Sequence, residues 1–279
     1  MSRYKIIFID IDDTLKASNH EVSAYTKDII KRVRDLGIMI VANTGHGTSY
    51  GIKKSQEAGL SEYVVSSNGS EIYNYKTKEK IFSRPIPVDT VKKVYEYCNN
   101  LKMTIIFNSF TNMFINIEKY DYSDDPVVYF DDIDKLLEEH EINQIIVLSK
   151  NYERMLVLPN VFQDKFPNLR TVRSSASLME KTQLPNKEYY HDLVLENTSK
   201  GTGVAELLDY FKIKPEEAIA IGNGYGDLTM FDVVDKTITV ENANDLLKEN
   251  VDFITDSATN DGMTKAIKKY VLEENEDEI

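Results

Sequence analysis

Four short stretches of this 279-residue chain place chemically capable side chains at the ends of apolar runs. They are Asp10-Ile11-Asp12-Asp13-Thr14, Asn43-Thr44-Gly45-His46-Gly47, Ser66-Ser67-Asn68-Gly69 and Gly222-Asn223-Gly224-Tyr225-Gly226-Asp227, and Lys200 opens a helical stretch before the last of them. Along extended chain, residues i and i+2 point the same way, so Asp10 and Asp12 face one pocket and Asp13 another. Two carboxylates that close repel by about 4 kcal/mol at an effective dielectric of ~20. Either one holds a proton or a cation sits between them. With Asp227 and the amide of Asn223 they form an all-oxygen set without sulfur or a histidine pair, which suits Mg²⁺. A magnesium-carboxylate cluster beside a threonine, glycine-rich turns and a lysine is equipment for handling phosphate. Asp10 could then attack phosphorus, because metal and lysine offset the phosphoryl charge. Asp12 could protonate the leaving oxygen and later take a proton from water, a role worth about 10²–10⁴-fold in rate.

These residues need a scaffold that brings distant strand ends to one rim. Lys5–Ile11 is too short and β-branched for a helix and reads as a strand buried on both faces, as in a parallel sheet. Ser23 caps a helix through Leu36, stopped by Gly37. Strand Ile38–Ala42, helix Thr48–Ala58 and strand Tyr63–Ser66 continue a β-α-β-α-β alternation. Glu71–Tyr75 and Lys80–Ser83 read as a hairpin. Beyond Arg84-Pro85-Ile86-Pro87 the texture becomes α+β and rich in Tyr and Phe. Strands are expected there at Thr104–Phe107, Met113–Ile117, Gln144–Leu148, Met155–Leu158 and Thr171–Ser174, with helices at Thr90–Leu101 and Asp131–Glu139. The alternating texture then returns, with helices Lys200–Phe211, Leu228–Val234, Ala243–Asn250 and Met263–Tyr270 and strands Ala218–Gly222, Thr237–Val240 and Phe253–Thr255. The expected fold class is α/β: a doubly wound, mainly parallel, Rossmann-like core of residues 1–84 and 190–279, interrupted by an inserted α+β domain of residues 85–189. In such a sheet, ligands bind beyond the carboxyl ends of the strands near the switch in strand order.

Composition narrows the partners. Lys+Arg 33 against Asp+Glu 46 gives a net charge of −13, which argues against sequence-independent binding to nucleic acid or anionic membrane. No apolar run approaches the ~18–20 residues of a membrane span, and no secretory pattern opens the chain, so a cytoplasmic location is expected. One cysteine, Cys98, excludes an internal disulfide and a multi-cysteine zinc site. Gly222-x-Gly224-x-Gly226 lacks the spacing of a dinucleotide fingerprint, and no P-loop motif occurs.

In order and context, Asp10-Ile11-Asp12-Asp13-Thr14, Thr44-Gly45, Lys200-Gly201 and the Gly222–Asp227 loop resemble the motifs of the haloacid dehalogenase (HAD) superfamily. Glu241-Asn242-Ala243-Asn244, Thr255-Asp256-Ser257 and Asp261-Gly262 are similar to the C-terminal signature of its Cof-type (subclass IIB) sugar phosphatases. The resemblance implies that the insertion is a substrate-specificity cap. It implies Asp10 as nucleophile, Asp12 as general acid/base with its main-chain carbonyl on Mg²⁺, and Lys200 and Thr44 as phosphate contacts. The 223–227 loop would complete the metal site, giving a metal set of Asp10, Asp12, Asn223 and Asp227. In three places the chain departs from the pattern: Asp13 replaces a usual Gly, His46 a usual Arg, and Asn223 and Gly226 a usual Asp and Asn. A neutral Asn223 should weaken Mg²⁺ binding, which predicts a working but metal-hungry enzyme.

Around this set, Gly45, His46, Asn68, Arg173 and Asn242 are candidate phosphate or substrate contacts. Asn68 reads equally as a turn residue before Gly69, and Arg173 equally as a solvated strand end. The Phe107, Phe110, Phe114, Tyr120 and Tyr122 cluster reads as cap core. The reading is a Mg²⁺-dependent phosphatase hydrolysing a small-molecule phosphate ester, a sugar phosphate above all, through an aspartyl-phosphate. The alternatives are a phosphotransferase or phosphomutase on sugar phosphates, and a catalytically weak phosphometabolite-binding protein. Substrate identity and oligomeric state are not legible in the sequence.

Overall fold

The protein is described here from a computed structural model covering residues 3–18, 20–118, 120, 127–173 and 188–273. It opens with β1 (Ile6–Ile9), α1 (Ala24–Asp35), β2 (Met39–Asn43), α2 (Thr48–Ala58), β3 (Tyr63–Ser66), β4 (Glu71–Asn74) and β5 (Glu79–Ser83). Next come α3 (Val88–Asn100), β6 (Thr104–Ser109), β7 (Asn112–Ile115), β8 (Val127–Tyr129), α4 (Ile133–Glu139), β9 (Gln144–Ser149), α5 (Tyr152–Lys165), β10 (Leu169–Arg173) and β11 (Tyr189–Leu195). The chain ends with α6 (Lys200–Phe211), β12 (Ala218–Gly222), α7 (Leu228–Phe231), β13 (Lys236–Val240), α8 (Asp245–Lys248), β14 (Phe253–Thr255) and α9 (Gly262–Val271). Two compact units result: Met1–His46, Gly51–Phe82 and Ser199–Ile279 in one, Gly47–Tyr50 and Ser83–Thr198 in the other.

The first unit is built on a sheet in the order β14-β13-β12-β1-β2-β3-β4-β5. β1 lies parallel to both β2 and β12, with Phe8 opposite Val41 on one side and Ala220 on the other. β13 and β14 extend the parallel array, and β4 turns back antiparallel to β3. The chain therefore leaves β1 toward β2 and returns much later to β12 on the opposite side, which makes the end of β1 the switch point of a doubly wound sheet. Every residue of β1 is fully buried, because helices need an apolar surface on each face of a parallel sheet. Phe8, Val41 and Ala220 pack with Val204, Leu207 and Met230. Truncating a ring such as Phe8 costs about 3–5 kcal/mol.

The second unit has a sheet in the order β10-β11-β9-β6-β7-β8, antiparallel except for the β7–β8 pair. Val91, Val94, Phe107, Phe114, Met155, Phe162 and Tyr189 belong to its main core, so Phe107 and Phe114 are core residues as their pattern suggests. Tyr122 lies outside the described residues.

Three features differ from the sequence reading. Met155–Leu158, expected as a strand, lies inside α5. Asn151 caps this helix by accepting the Arg154 N–H, and the helix carries Pro159 internally. Met155, Leu158 and Phe162 are buried while Leu156 and Val157 are 42% and 56% exposed, the spacing of a helix face. Secondly, β11 went unread, and its whole length pairs with β9 and β10. The inserted unit accordingly extends to Thr198 rather than to residue 189. Thirdly, α7 and α8 are single short turns, well inside the ranges expected for them.

Candidate active site

Asp10 is the first residue beyond β1. Its N–H donates to the Ile221 carbonyl of β12, which fixes where the side chain emerges. The chain then folds into one tight turn: Leu15 N–H donates to the Asp10 carbonyl at 3.3 Å, Lys16 N–H to Ile11 at 3.3 Å, and Asp13 N–H back to Lys16 at 2.8 Å. Asp13 has φ +58°, and its carboxylate accepts the Ser18 N–H at 2.7 Å, away from its two acidic neighbours.

Lys200, at the start of α6, reaches the same place. Ser199 caps that helix in a capping box with Thr202, and Asn43 at the end of β2 donates to the Lys200 carbonyl at 3.1 Å. The Lys200 ammonium donates to Asp10 Oδ1 at 2.5 Å and to Asp227 Oδ1 at 2.7 Å. Asp227 Oδ2 accepts the main-chain N–H groups of Asn223 and Gly224 at 2.9 and 2.8 Å. Burial pushes the Asp10 carboxyl up to about 7, with Lys200 opposing the rise and the Asp227 and Asp12 charges adding to it. Burial by itself would lower Lys200, but the two carboxylates outweigh it and hold its ammonium above the ordinary lysine value.

Thr44 and Asn68 approach from the neighbouring strand ends. Thr44 Oγ1 accepts the His46 N–H at 3.1 Å, closing the turn after β2. Ser67, Asn68 and Gly69 follow β3 with φ of +51°, +56° and +89°. This left-handed stretch lets Ser67 N–H donate to the His46 carbonyl at 2.7 Å and Asn68 N–H to Thr44 at 3.2 Å. A Cβ on Gly69 would lie 1.9 Å from the Ser199 carbonyl oxygen, so only glycine lets this loop rest against the start of α6. Asn68 and Gly45 are neighbours too, the Asn68 amide donating to the Gly45 carbonyl at 3.4 Å.

Asp12 is a third exposed, and two basic side chains flank it: Lys16 Nζ lies 3.3 Å from Oδ1 and His46 Nε2 lies 3.5 Å from Oδ2. Lys16 was not foreseen. Its only sequence signal is a positive charge four residues after Asp12. Asn242 has a different place from the one expected. Its amide donates to the Asp13 carbonyl at 3.0 Å and its oxygen accepts the Ala258 N–H at 2.8 Å, so the side chain staples the Asp13 turn. Arg173 ends β10, and its side chain lies outside the described residues. Asp10, Lys200 and Asp227 are thus in direct contact, Asp12 follows within the same turn, and Thr44, His46 and Asn68 form the adjoining loop pair.

Residues 7–267 match the haloacid dehalogenase-like hydrolase family. The chain belongs to that family. A Bacillus subtilis relative, 5-amino-6-(5-phospho-D-ribitylamino)uracil phosphatase, is 24% identical over 277 residues covering 96% of each chain. A longer Streptococcus pyogenes relative is 26% identical over 292 residues. That match takes in 97% of this chain but only 54% of the relative, so the chain spans about half its length. A solved haloacid dehalogenase-like hydrolase from Bacteroides thetaiotaomicron superimposes with a TM-score of 0.82 at 22% identity, covering 95% of this chain and 99% of that one. A solved HAD subclass IIB sugar phosphatase superimposes with a TM-score of 0.75 at 21% identity, covering 95% and 98%. The Cof-type resemblance read from the motifs agrees with these matches.

Membership in the HAD hydrolases gives the departures a structural meaning. The usual glycine is at Asp13 because the backbone there is left-handed, and aspartate is among the few other residues that tolerate it. Gly226 has nothing within 4 Å of an added Cβ, so a side chain there would meet open space. The family also implies Mg²⁺. Among the described residues no cluster of three or more His, Cys, Asp or Glu forms a metal cage. Asp227, expected as a direct ligand, has both oxygens committed to Lys200 and two main-chain N–H groups. That leaves the Asp10 carboxylate, the Asp12 main-chain oxygen and the Asn223 amide oxygen, whose side chain makes no hydrogen bond among the described residues. Mg²⁺ keeps several waters and needs few protein oxygens, so this set fits it, with a single charged ligand.

Proposed function

We propose that this HAD hydrolase is a Mg²⁺-dependent phosphatase of small-molecule phosphate esters, sugar phosphates above all, acting through an aspartyl-phosphate on Asp10. The single observation that carries the reading is the bridge by which Lys200 joins Asp10 to Asp227 at the switch point of the sheet. A buried carboxylate raised to about 7 is short of positive charge, and a phosphoryl group would worsen the deficit. Mg²⁺ held by Asp10, the Asp12 carbonyl and Asn223 would supply that charge.

Asp10 then attacks phosphorus while Lys200 screens the phosphoryl oxygens and holds the carboxylate in line. The Thr44 hydroxyl orients those oxygens. Asp12 donates a proton to the leaving oxygen, then accepts one from the water that hydrolyses the aspartyl-phosphate. The net charge of −13 agrees with small substrates rather than nucleic acid.

A screen of phosphate release over sugar monophosphates, with Mg²⁺ and with chelator, tests this. Release that requires Mg²⁺ and is lost in Asp10→Asn is expected. A second reading, a binder of phosphorylated metabolites with poor turnover, is favoured by the neutral Asn223. Saturable binding across the panel without phosphate release at millimolar Mg²⁺ would establish that reading instead.

A further inference from the structure

Asn43 is the polar end of an otherwise apolar strand, Met39-Ile40-Val41-Ala42-Asn43, and it is fully buried. Asparagine is seldom found so deep. Its partner fixes which way the amide points: the Lys200 carbonyl can only accept, so Nδ2 faces it at 3.1 Å and Oδ1 faces away. Among the described residues the buried Oδ1 has no hydrogen-bond partner. A buried acceptor in that position lowers stability. The Lys200 carbonyl does not depend on Asn43, because in the first turn of α6 it also faces the N–H four residues on. The fold alone would be served as well by a leucine of similar shape.

What the amide does is join two pieces of the site. Thr44 follows it directly, with its N–H donating to the Val65 carbonyl at 2.9 Å. Lys200 lies at its other end, and the Lys200 ammonium reaches Asp10 and Asp227. Packing sets only a limit on how closely the first turn of α6 approaches its neighbours: a Cβ on Gly69 would lie 1.9 Å from the Ser199 carbonyl oxygen, and one on Gly201 2.0 Å from that of Thr229. Directed bonds set where along those surfaces the turn rests. The Gly201 N–H, donating to Thr229 Oγ1 at 3.0 Å, ties it to α7, and Asn43 ties it to β2.

Building on the phosphatase reading above, we propose that Asn43 is a positioning residue: it fixes the Lys200 main chain against the Thr44 turn, so that the ammonium and the hydroxyl meet one phosphoryl group at a set spacing. Asn43 itself touches neither the phosphoryl group nor the leaving group. Misplacement of a contact by about 1 Å can cost ~10²-fold in rate.

The test uses Asn43→Leu in the full-length protein, which removes the donor and the buried acceptor together. Its kcat/KM, per folded molecule, is compared with wild type on 4-nitrophenyl phosphate and on whichever sugar phosphate the wild type hydrolyses fastest. Thermal melts and circular dichroism at the assay temperature give the folded fraction. Asn43→Leu should melt at or above the wild-type temperature yet lose more than about 5-fold on both esters. The two losses should agree within about 3-fold, because both esters present the same phosphoryl group. A smaller loss, a loss explained by fewer folded molecules, or losses that differ more widely between the esters would overturn the assignment while leaving the phosphatase reading intact. If Asn43→Leu does not fold, Asn43→Ala takes its place under the same activity criteria, and failure of both to fold would make Asn43 a residue of the fold and overturn the proposal. Wild-type protein inert toward both esters would overturn the phosphatase reading and this inference with it.

Discussion

The Lys200 ammonium lies 2.7 Å from Asp227 Oδ1, and both side chains are almost wholly buried. Asp227 therefore acts through Lys200: it fixes the ammonium against Asp10 and closes the 223–227 loop through two main-chain N–H groups. Removing one partner of a buried pair strands the other charge, at a cost of about 3–5 kcal/mol. Asp227→Ala should lose stability on that scale by chemical denaturation. The isosteric Asp227→Asn should lose less stability while still lowering kcat, because one charge has gone from Lys200's surroundings. If Asp227→Ala melts like wild type, the bridge does not hold the site together.

Asp10→Asn should abolish turnover, since an amide cannot form the aspartyl-phosphate, and the fold should persist because the side chain keeps its shape. Retention of more than a few per cent of wild-type rate, measured on protein free of contaminating phosphatase, would exclude Asp10 as nucleophile.

The same carboxyl links stability to pH. Its pKa rises from 3.8 to about 7 because of burial, so the folded state binds this proton more tightly than the unfolded chain. The stabilisation is complete below about 4 and is lost as pH climbs toward 7. In chelator, Asp10 should contribute a fall in Tm over that window, and Asp10→Asn should flatten that part of the profile. Each 1 kcal/mol corresponds to roughly 2–4 °C in a chain of more than about 150 residues. Mg²⁺ should raise Tm more at pH 8 than at pH 5. Equal metal-induced shifts at the two pH values would separate Asp10 from the metal.

Much of this was readable before any coordinates. The buried run ending at Asp10, the β-α-β alternation and the glycine-bounded strand ends follow from periodicity and turn chemistry, which are local properties. What stayed hidden depends on contacts between distant residues. β11 begins Tyr189-Tyr190-His191-Asp192, a polar start for a strand, yet His191 is fully buried and its ring bonds the Met155 carbonyl at 2.8 Å. Only pairing with β9 and β10 makes that segment a strand. Met155–Leu158 is an unbroken apolar run before a proline, which suits a strand or a helix equally until one face is seen to be buried. Likewise, the contacts of Asp227 depend on where its two oxygens point, and those of Lys16 on a turn closing over four residues. Neither is a property of residue type.

The two glycines at the site should respond in opposite ways. Gly69→Ala puts a Cβ 1.9 Å from the Ser199 carbonyl at a φ of +89°, so it should destabilise strongly and disturb the start of α6, where Lys200 sits. Gly226→Asn places the usual family residue in open space without a left-handed backbone. It should fold as well as wild type or gain up to about 1 kcal/mol from reduced unfolded-state freedom. The contrast is read by thermal melts of both variants. A tolerated Gly69→Ala would mean that the left-handed loop does not set the position of Lys200.

In the proposed metal site one side chain sets the affinity. Asn223 offers a neutral oxygen where a second charged ligand would serve Mg²⁺ better. Asn223→Asp restores that charge without changing side-chain shape, and its main-chain N–H can go on bonding Asp227. The variant should bind Mg²⁺ at least about 10-fold more tightly, since even changes to groups that merely support a ligand shift metal affinity ~10–100-fold. Calorimetric titration of the metal alone measures this independently of turnover. If the two side chains share the ion as proposed, the added carboxylate repels Asp10 without metal, so Asn223→Asp should be less stable than wild type in chelator and more stable in saturating Mg²⁺. Unchanged Mg²⁺ affinity would remove Asn223 from the metal site and leave Asp10 with no side-chain partner in holding the ion.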